Sequence, residues 1–184
     1  MKIFSVLFSA VFIFCLILFL FLSQISPLKE SVSKSVTRTA ETEIYFIPKI
    51  LSHGCYTKQT ADIYINSHNN YIASAQIELS YDPFSFTDFS ISPSDENFFG
   101  DKKAYQINLS EVRAEYGRAS LSLETSEGFL DQSGEGKVAT INFTANPVAS
   151  GSTQIVFLNK TNVMGKNNRQ SLLKSTTPLL INCF

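Results

Sequence analysis

The chain of 184 residues has no tryptophan, only two histidines and only three cysteines. That leaves few of the side chains on which active sites and sugar-stacking platforms are usually built. The cysteines, Cys15, Cys55 and Cys183, are too widely spaced for a C-x-x-C metal or redox site. Fifteen basic side chains against 16 acidic ones give a net charge of −1, so nothing marks a nucleic-acid partner. Beyond the amino-terminal segment no 3.6-residue apolar stripe holds for three turns. The nearest, residues 110–116, is too short to stand as a helix without support. Most of the classes that these absences remove are enzymes.

What is present is distributed unevenly. Six of the 16 phenylalanines fall in the first 21 residues. Residues 3–22 are apolar apart from Ser5, Ser9 and Cys15, and carry no charge. Twenty residues at about 1.5 Å each span about 30 Å, the thickness of a bilayer's hydrocarbon core. The run is longer than a signal-peptide core and lacks an A-x-A-like exit. Residues 1–25 are therefore expected to form an uncleaved signal anchor, a single transmembrane helix with its amino end in the cytoplasm. The alternative is a cleaved signal and a secreted product. Either way the rest of the chain is extracytoplasmic. Residues 26–43 are rich in Ser, Thr and charge and read as a flexible linker.

From residue 44 the pattern changes to short alternating runs of β-branched and aromatic residues, separated by Gly, Pro, Asn and Ser. Nine strands are predicted, at 44–48, 61–66, 74–81, 86–92, 105–109, 118–123, 137–144, 153–158 and 179–183. In the third, Ala75, Ile77, Leu79 and Tyr81 face one way and Ser74, Gln76, Glu78 and Ser80 the other. In the seventh, Ala139, Ile141 and Phe143 oppose Val138, Thr140 and Asn142. Such a run of strands over residues 44–184 predicts an all-β, two-sheet sandwich.

Particular stretches resemble a known family. ADIYINS at 61–67 followed by IASAQIELSYDP at 72–83 resembles the second and third strands of a cohesin domain. GKVATINFTA at 136–145, SGSTQIVF at 150–157 and NVMGKNN at 162–168 resemble its later strands and late loop. The likeness covers residues 44–182, and its most specific part is S-Y-D-P paired with G-K-x-x-T-I-x-F downstream. It implies a nine-stranded jelly roll shared with carbohydrate-binding modules. It also implies a non-catalytic receptor for dockerin modules, often those of polysaccharide-degrading enzymes. Type I cohesins place Asn and Asp on the exposed face of the third strand. The matching positions here are Ser74 and Gln76, a departure from that pattern. The expected protein-binding surface is Ser74, Gln76 and Glu78. In the family the first and last strands are neighbours, which would bring Cys55 and Cys183 within reach of a disulfide. Two unrelated thiols are the other reading.

Other signals are weaker. Asp131, Ser133 and Glu135 precede Gly136 as in a calcium loop, but position twelve is Asn142 inside a predicted strand, so a polar turn is expected. His53 and His68 sit in separate turns, and Glu111, Glu115, Glu124 and Glu127 read as a solvated face. No metal, cofactor or catalytic residue is assigned. Tyr64, Tyr81, Phe89, Phe143 and Phe157 are expected in the core. Tyr71, Phe98, Phe99, Tyr105 and Tyr116 lie near turns, where either exposure or packing is open and packing is the commoner outcome for any one ring; Tyr71, Tyr105 and Tyr116 are the candidates for stacking on a polysaccharide. The sequence thus leaves three roles open: dockerin-type receptor, carbohydrate-binding module, or structural component of the envelope.

Overall fold

The computed structural model describes residues 39–147, 151–166 and 170–183. The expected membrane segment, 1–25, and most of the linker lie outside the described residues. Among those described, no helix is long and apolar enough to cross a membrane.

Twelve strands follow one another: β1 (Thr42–Ile47), β2 (Ile50–His53), β3 (Lys58–Asn66), β4 (Ser74–Ser80), β5 (Phe86–Pro93) and β6 (Tyr105–Arg113), then β7 (Arg118–Thr125), β8 (Glu135–Ala145), β9 (Ser152–Phe157), β10 (Asn162–Met164), β11 (Leu173–Thr177) and β12 (Leu179–Cys183). One sheet has five strands in the order β11-β1-β3-β8-β5. The other has seven, β2-β12-β9-β4-β7-β6, with β10 also paired to β4. Two of these pairings, β1–β11 and β2–β12, are parallel and the rest antiparallel. The nine predicted strands all appear. The three extra ones, β2, β10 and β11, have only three to five residues, too few to display a period.

The core lies between the sheets and follows the alternation. Along β4, Ala75, Ile77 and Leu79 are buried while Ser74, Gln76, Glu78 and Ser80 are half-buried on the outer face. Two bulges alter the simple parity. On β8 the pairing passes from Ala139 to Lys137 and skips Val138, so Val138 and Ala139 are both buried, contrary to the alternation. The Val138 carbonyl accepts from the Ser94 N–H at 3.1 Å and the Asn97 Nδ2 at 2.7 Å. On β5, residues 88 and 89 together stand opposite the single residue Phe143, one residue more than regular pairing uses. This turns Phe89 inward, where it stacks on Tyr81 with centroids 4.0 Å apart. Phe46 of β1 meets Phe157 of β9 at 4.8 Å, joining the two sheets.

The domain begins earlier than expected. Thr42 and Glu43, assigned to the linker, belong to β1. Thr42 is buried, its N–H bonded to the Leu172 carbonyl at 3.0 Å. Tyr64 is half-buried on the outer face rather than in the core, stacked on Tyr45 at 6.2 Å. The short helical candidate divides in two, with residues 110–113 continuing β6 and Ala114–Tyr116 forming one 3-10 turn.

Candidate functional site

β4 sits in the middle of the seven-stranded sheet, and its outer face continues across its neighbours in register. Ser74 lies opposite Glu124 of β7 and Met164 of β10, and Gln76 opposite Ser122 and Asn162. Glu78 faces Ser120, and Ser80 faces Arg118 and Val156. Beyond β7, edge strand β6 adds Gln106, Leu109, Glu111 and Arg113 opposite Glu124, Ser122, Ser120 and Arg118. A bulge between Ile107 and Leu109 brings Leu109, 39% exposed, onto this mostly polar face. All three residues expected to bind a partner, Ser74, Gln76 and Glu78, therefore share one surface at its centre.

The side chains of that surface hold one another. Asn162 Nδ2 donates to Gln76 Oε1 (3.3 Å), Gln76 Nε2 to Glu78 Oε1 (3.0 Å) and Ser120 Oγ to Glu78 Oε2 (2.7 Å). Nearby, Asn108 Nδ2 and Gln106 Nε2 donate to Glu124 Oε2 at 3.0 and 3.4 Å. The ion pairs among the described residues are Lys102–Asp95, Arg113–Glu111, Lys137–Asp62 and Lys174–Glu43. Glu78 and Glu124 are thus held by neutral donors and belong to none of these ion pairs. Glu111 is different: the hydrogen bond from Arg113 holds its carboxyl below the usual range. At the end of the face toward Ser74, a recess of about 470 Å³ is lined by Glu124, Glu127, Phe129, Asp131, Met164 and Lys166 among others.

β4 has no continuous neighbour on its β9 side. β9 pairs only with Leu79 and Ser80, and β10 only with residues 74–76. Thr161, 4% exposed, fills the gap: its Oγ1 accepts from the Glu78 N–H and donates to the Glu78 carbonyl, both at 3.1 Å. The Leu158 N–H reaches the same carbonyl at 2.8 Å. Thr161→Val keeps the shape but removes both bonds, and leaving the buried Glu78 N–H unpaired is expected to cost about 2 kcal/mol. Chemical denaturation measures this directly; a loss below about 0.5 kcal/mol would show that the hydroxyl does not bridge the gap. Thr161, Asn162, Ser120 and Leu109 are the members of this face that the sequence does not reveal. The first three enter it through hydrogen bonds 42 to 86 positions apart in the chain, and Leu109 through a bulge, neither of which leaves a local signal.

The other sequence candidates separate. Tyr71 and Tyr116 are exposed, at 51% and 68%. Tyr105 is corrected: only 7% exposed, it is paired with Thr125 and lies in the core cluster, so its ring is not open to a sugar. Phe99 is likewise wholly buried, because the 94–104 loop folds back onto β8 through the Phe98 N–H, 2.6 Å from the Lys137 carbonyl. Cys55 and Cys183 form a disulfide, with Cα atoms 5.1 Å apart. The residues of the calcium-like stretch take separate partners: Asp131 accepts from the Lys166 N–H, and Glu135 from the Tyr45 hydroxyl at 2.6 Å. Among the described residues no group of three or more His, Cys, Asp or Glu is placed to hold a metal.

Comparison with known proteins identifies the fold and the family. The family model described as "Cohesin domain" matches residues 60–182. The solution structure of CaCohA2 from Clostridium acetobutylicum is similar at 15% identity and a TM-score of 0.58, over 77% of this chain and 90% of that one. The sixth cohesin of scaffoldin B from Acetivibrio cellulolyticus, solved with a Cel5 dockerin, gives 12% and 0.59 over 78% and 99%. A type I cohesin–dockerin complex from Clostridium thermocellum gives 13% and 0.59 over the same shares. No curated protein matches the chain. At such identities the solved structures show the fold, and the family model, matching most of the chain, shows the rest: the chain belongs to the cohesin family of non-catalytic protein-binding modules.

Proposed function

We propose that this cohesin domain captures a dockerin-type protein partner on the outer face of its seven-stranded sheet, centred on Ser74, Gln76 and Glu78. The observation that carries the reading is the hydrogen-bonded row Asn162–Gln76–Glu78–Ser120, which crosses three strands and fixes its side chains before any partner arrives. Side chains fixed in advance lose little rotamer freedom on binding, so more of the contact energy appears as affinity. Leu109 supplies an apolar contact among polar ones, and Glu78 and Glu124 offer charge to a basic side chain. Ser74 and Gln76 stand where type I cohesins carry Asn and Asp, so the partner is a dockerin of different specificity. The amino-terminal apolar segment tethers the domain outside the cytoplasm, and the Ser/Thr-rich linker lets it search away from the membrane.

The test is capture of dockerin-bearing proteins from the source organism by the full-length chain and by the variant Gln76→Ala/Glu78→Ala. The native chain is expected to retain such a partner, and the variant to lose at least tenfold in affinity, about 1.4 kcal/mol, at an unchanged melting temperature. Equal affinity in the folded variant would remove this face from the proposal.

A further inference from the structure

Three strongly exposed aromatic side chains stand at one end of the sandwich. They are Tyr56 at 72%, Phe84 at 88% and Tyr116 at 68% exposure. Tyr56 lies in the β2–β3 turn, Phe84 in the β4–β5 turn and Tyr116 in the β6–β7 turn, and the strand directions bring all three turns to the same end. The domain's first residues lie at the opposite end, where Asn70 Nδ2 holds the Thr39 carbonyl at 3.2 Å. The three turns are joined through their backbones. The Tyr56 N–H donates to the Ala145 carbonyl at 2.8 Å. The next residue, Asn146, bonds the Ser85 carbonyl through its N–H (2.8 Å) and the Phe84 carbonyl through Nδ2 (3.1 Å). The Tyr81 N–H then donates to the Gly117 carbonyl at 2.9 Å, setting the Tyr116 turn against the Phe84 turn.

The backbone beneath each ring is also fixed. Asp82 fixes the turn under Phe84, accepting from the Phe84 N–H at 3.0 Å and the Ser85 hydroxyl at 2.5 Å. Tyr116 ends a 3-10 turn closed by Gly117. Tyr56 follows the disulfide-bonded Cys55 and has φ +62°, a left-handed conformation that a bulky side chain rarely adopts. Neither that backbone nor a ring so open to solvent serves stability, and strain held at an exposed position points to use.

We infer that this end is a second binding site, distinct from the β4 face, that takes a polysaccharide of flat, β-linked pyranose rings. Such a chain presents apolar C–H faces at intervals along a line, which flat aromatic rings stack upon, while tyrosine hydroxyls meet sugar hydroxyls at the rim. The turns 54–57, 81–85 and 114–117 contain no Met or Arg, so the rings stand here without the two residue types that accompany aromatics in protein interfaces.

The full-length chain, kept in solution by a polyoxyethylene detergent, is mixed with amorphous cellulose, insoluble xylan or starch granules, and depletion is measured. Retention by cellulose or xylan is expected, and Tyr56→Gly/Phe84→Ser/Tyr116→Ser is expected to weaken it at least tenfold. The melting temperature of that variant should equal or exceed the native value, because Gly relieves the left-handed position. Leu130→Ser, a change at the opposite end, should leave retention unaltered. Absence of retention by cellulose and xylan, equal retention by the triple variant, or equal loss in Leu130→Ser would each overturn the assignment.

Discussion

Replacing Cys55 and Cys183 together by alanine is expected to lower folding stability by about 5 kcal/mol. The bond closes a loop of 128 residues, nearly the whole domain. In the chain-entropy description the stabilisation grows with the logarithm of that length. The position adds a local reason. β2 and β12 pair in parallel up to His53 and Cys183, and the bond fastens their far ends together. Without it, the four-residue edge strand β2 is left with a single neighbour, β12, and the terminal residue of β12 frays. A fall in melting temperature of about 10–20 °C follows for a domain of this size. Reductant acting on the native chain should reproduce it. A double variant melting within about 2 °C of native would mean that hydrogen bonding alone secures this end.

Gly117→Ala is the second large effect expected. Gly117 has φ +58° and ψ +46°, so any other residue there meets the ordinary left-handed cost of about 1–2 kcal/mol. Space is the greater obstacle. A Cβ on Gly117 would stand 1.9 Å from the Tyr81 carbonyl oxygen and 3.0 Å from Pro83 Cδ. The oxygen belongs to backbone that cannot swing aside, because the Tyr81 N–H is bonded to Gly117 itself. The total expected loss is about 3–4 kcal/mol. Gly128→Ala is the matched control. Its φ is +87°, but nothing lies within 4 Å of its Cβ position, so only the conformational cost of about 1–2 kcal/mol applies. Denaturant unfolding of both variants separates the two contributions, and equal losses would show that the Tyr81 carbonyl moves away freely.

The alternation that predicted β4 is also what placed its outer face, since a period of two assigns Ser74, Gln76 and Glu78 to one side however the sheet is assembled. The same rule fails at Val138, where a bulge spends one residue without advancing the pairing, whereas Phe89, expected in the core, reaches it through a second bulge. Tyr105, a stacking candidate, and Phe99 are buried for another reason. Proximity to a turn says nothing about whether the loop lies back on the core, and the 94–104 loop does. Short strands such as β10 are fixed by their partners, so Asn162 and Thr161 became visible only once β4 had an edge to fill. The proximity of Cys55 and Cys183 came from family topology; nothing in 128 intervening residues encodes it locally. Exposed aromatics at the far end were half legible, with Tyr116 picked out and Tyr56 and Phe84 passed over, because three turns remote in sequence meet only in the fold.

The most direct measurement is nuclear magnetic resonance of the isotope-labelled chain titrated with a captured dockerin partner. The largest amide shifts are expected along residues 74–80 of β4 and 118–125 of β7, with Leu109 and Asn162 included and the opposite sheet still. Shifts concentrated instead around Tyr45, Asp62 and Tyr64, on the outer face of the five-stranded sheet, would contradict the assignment of the partner to the β4 face.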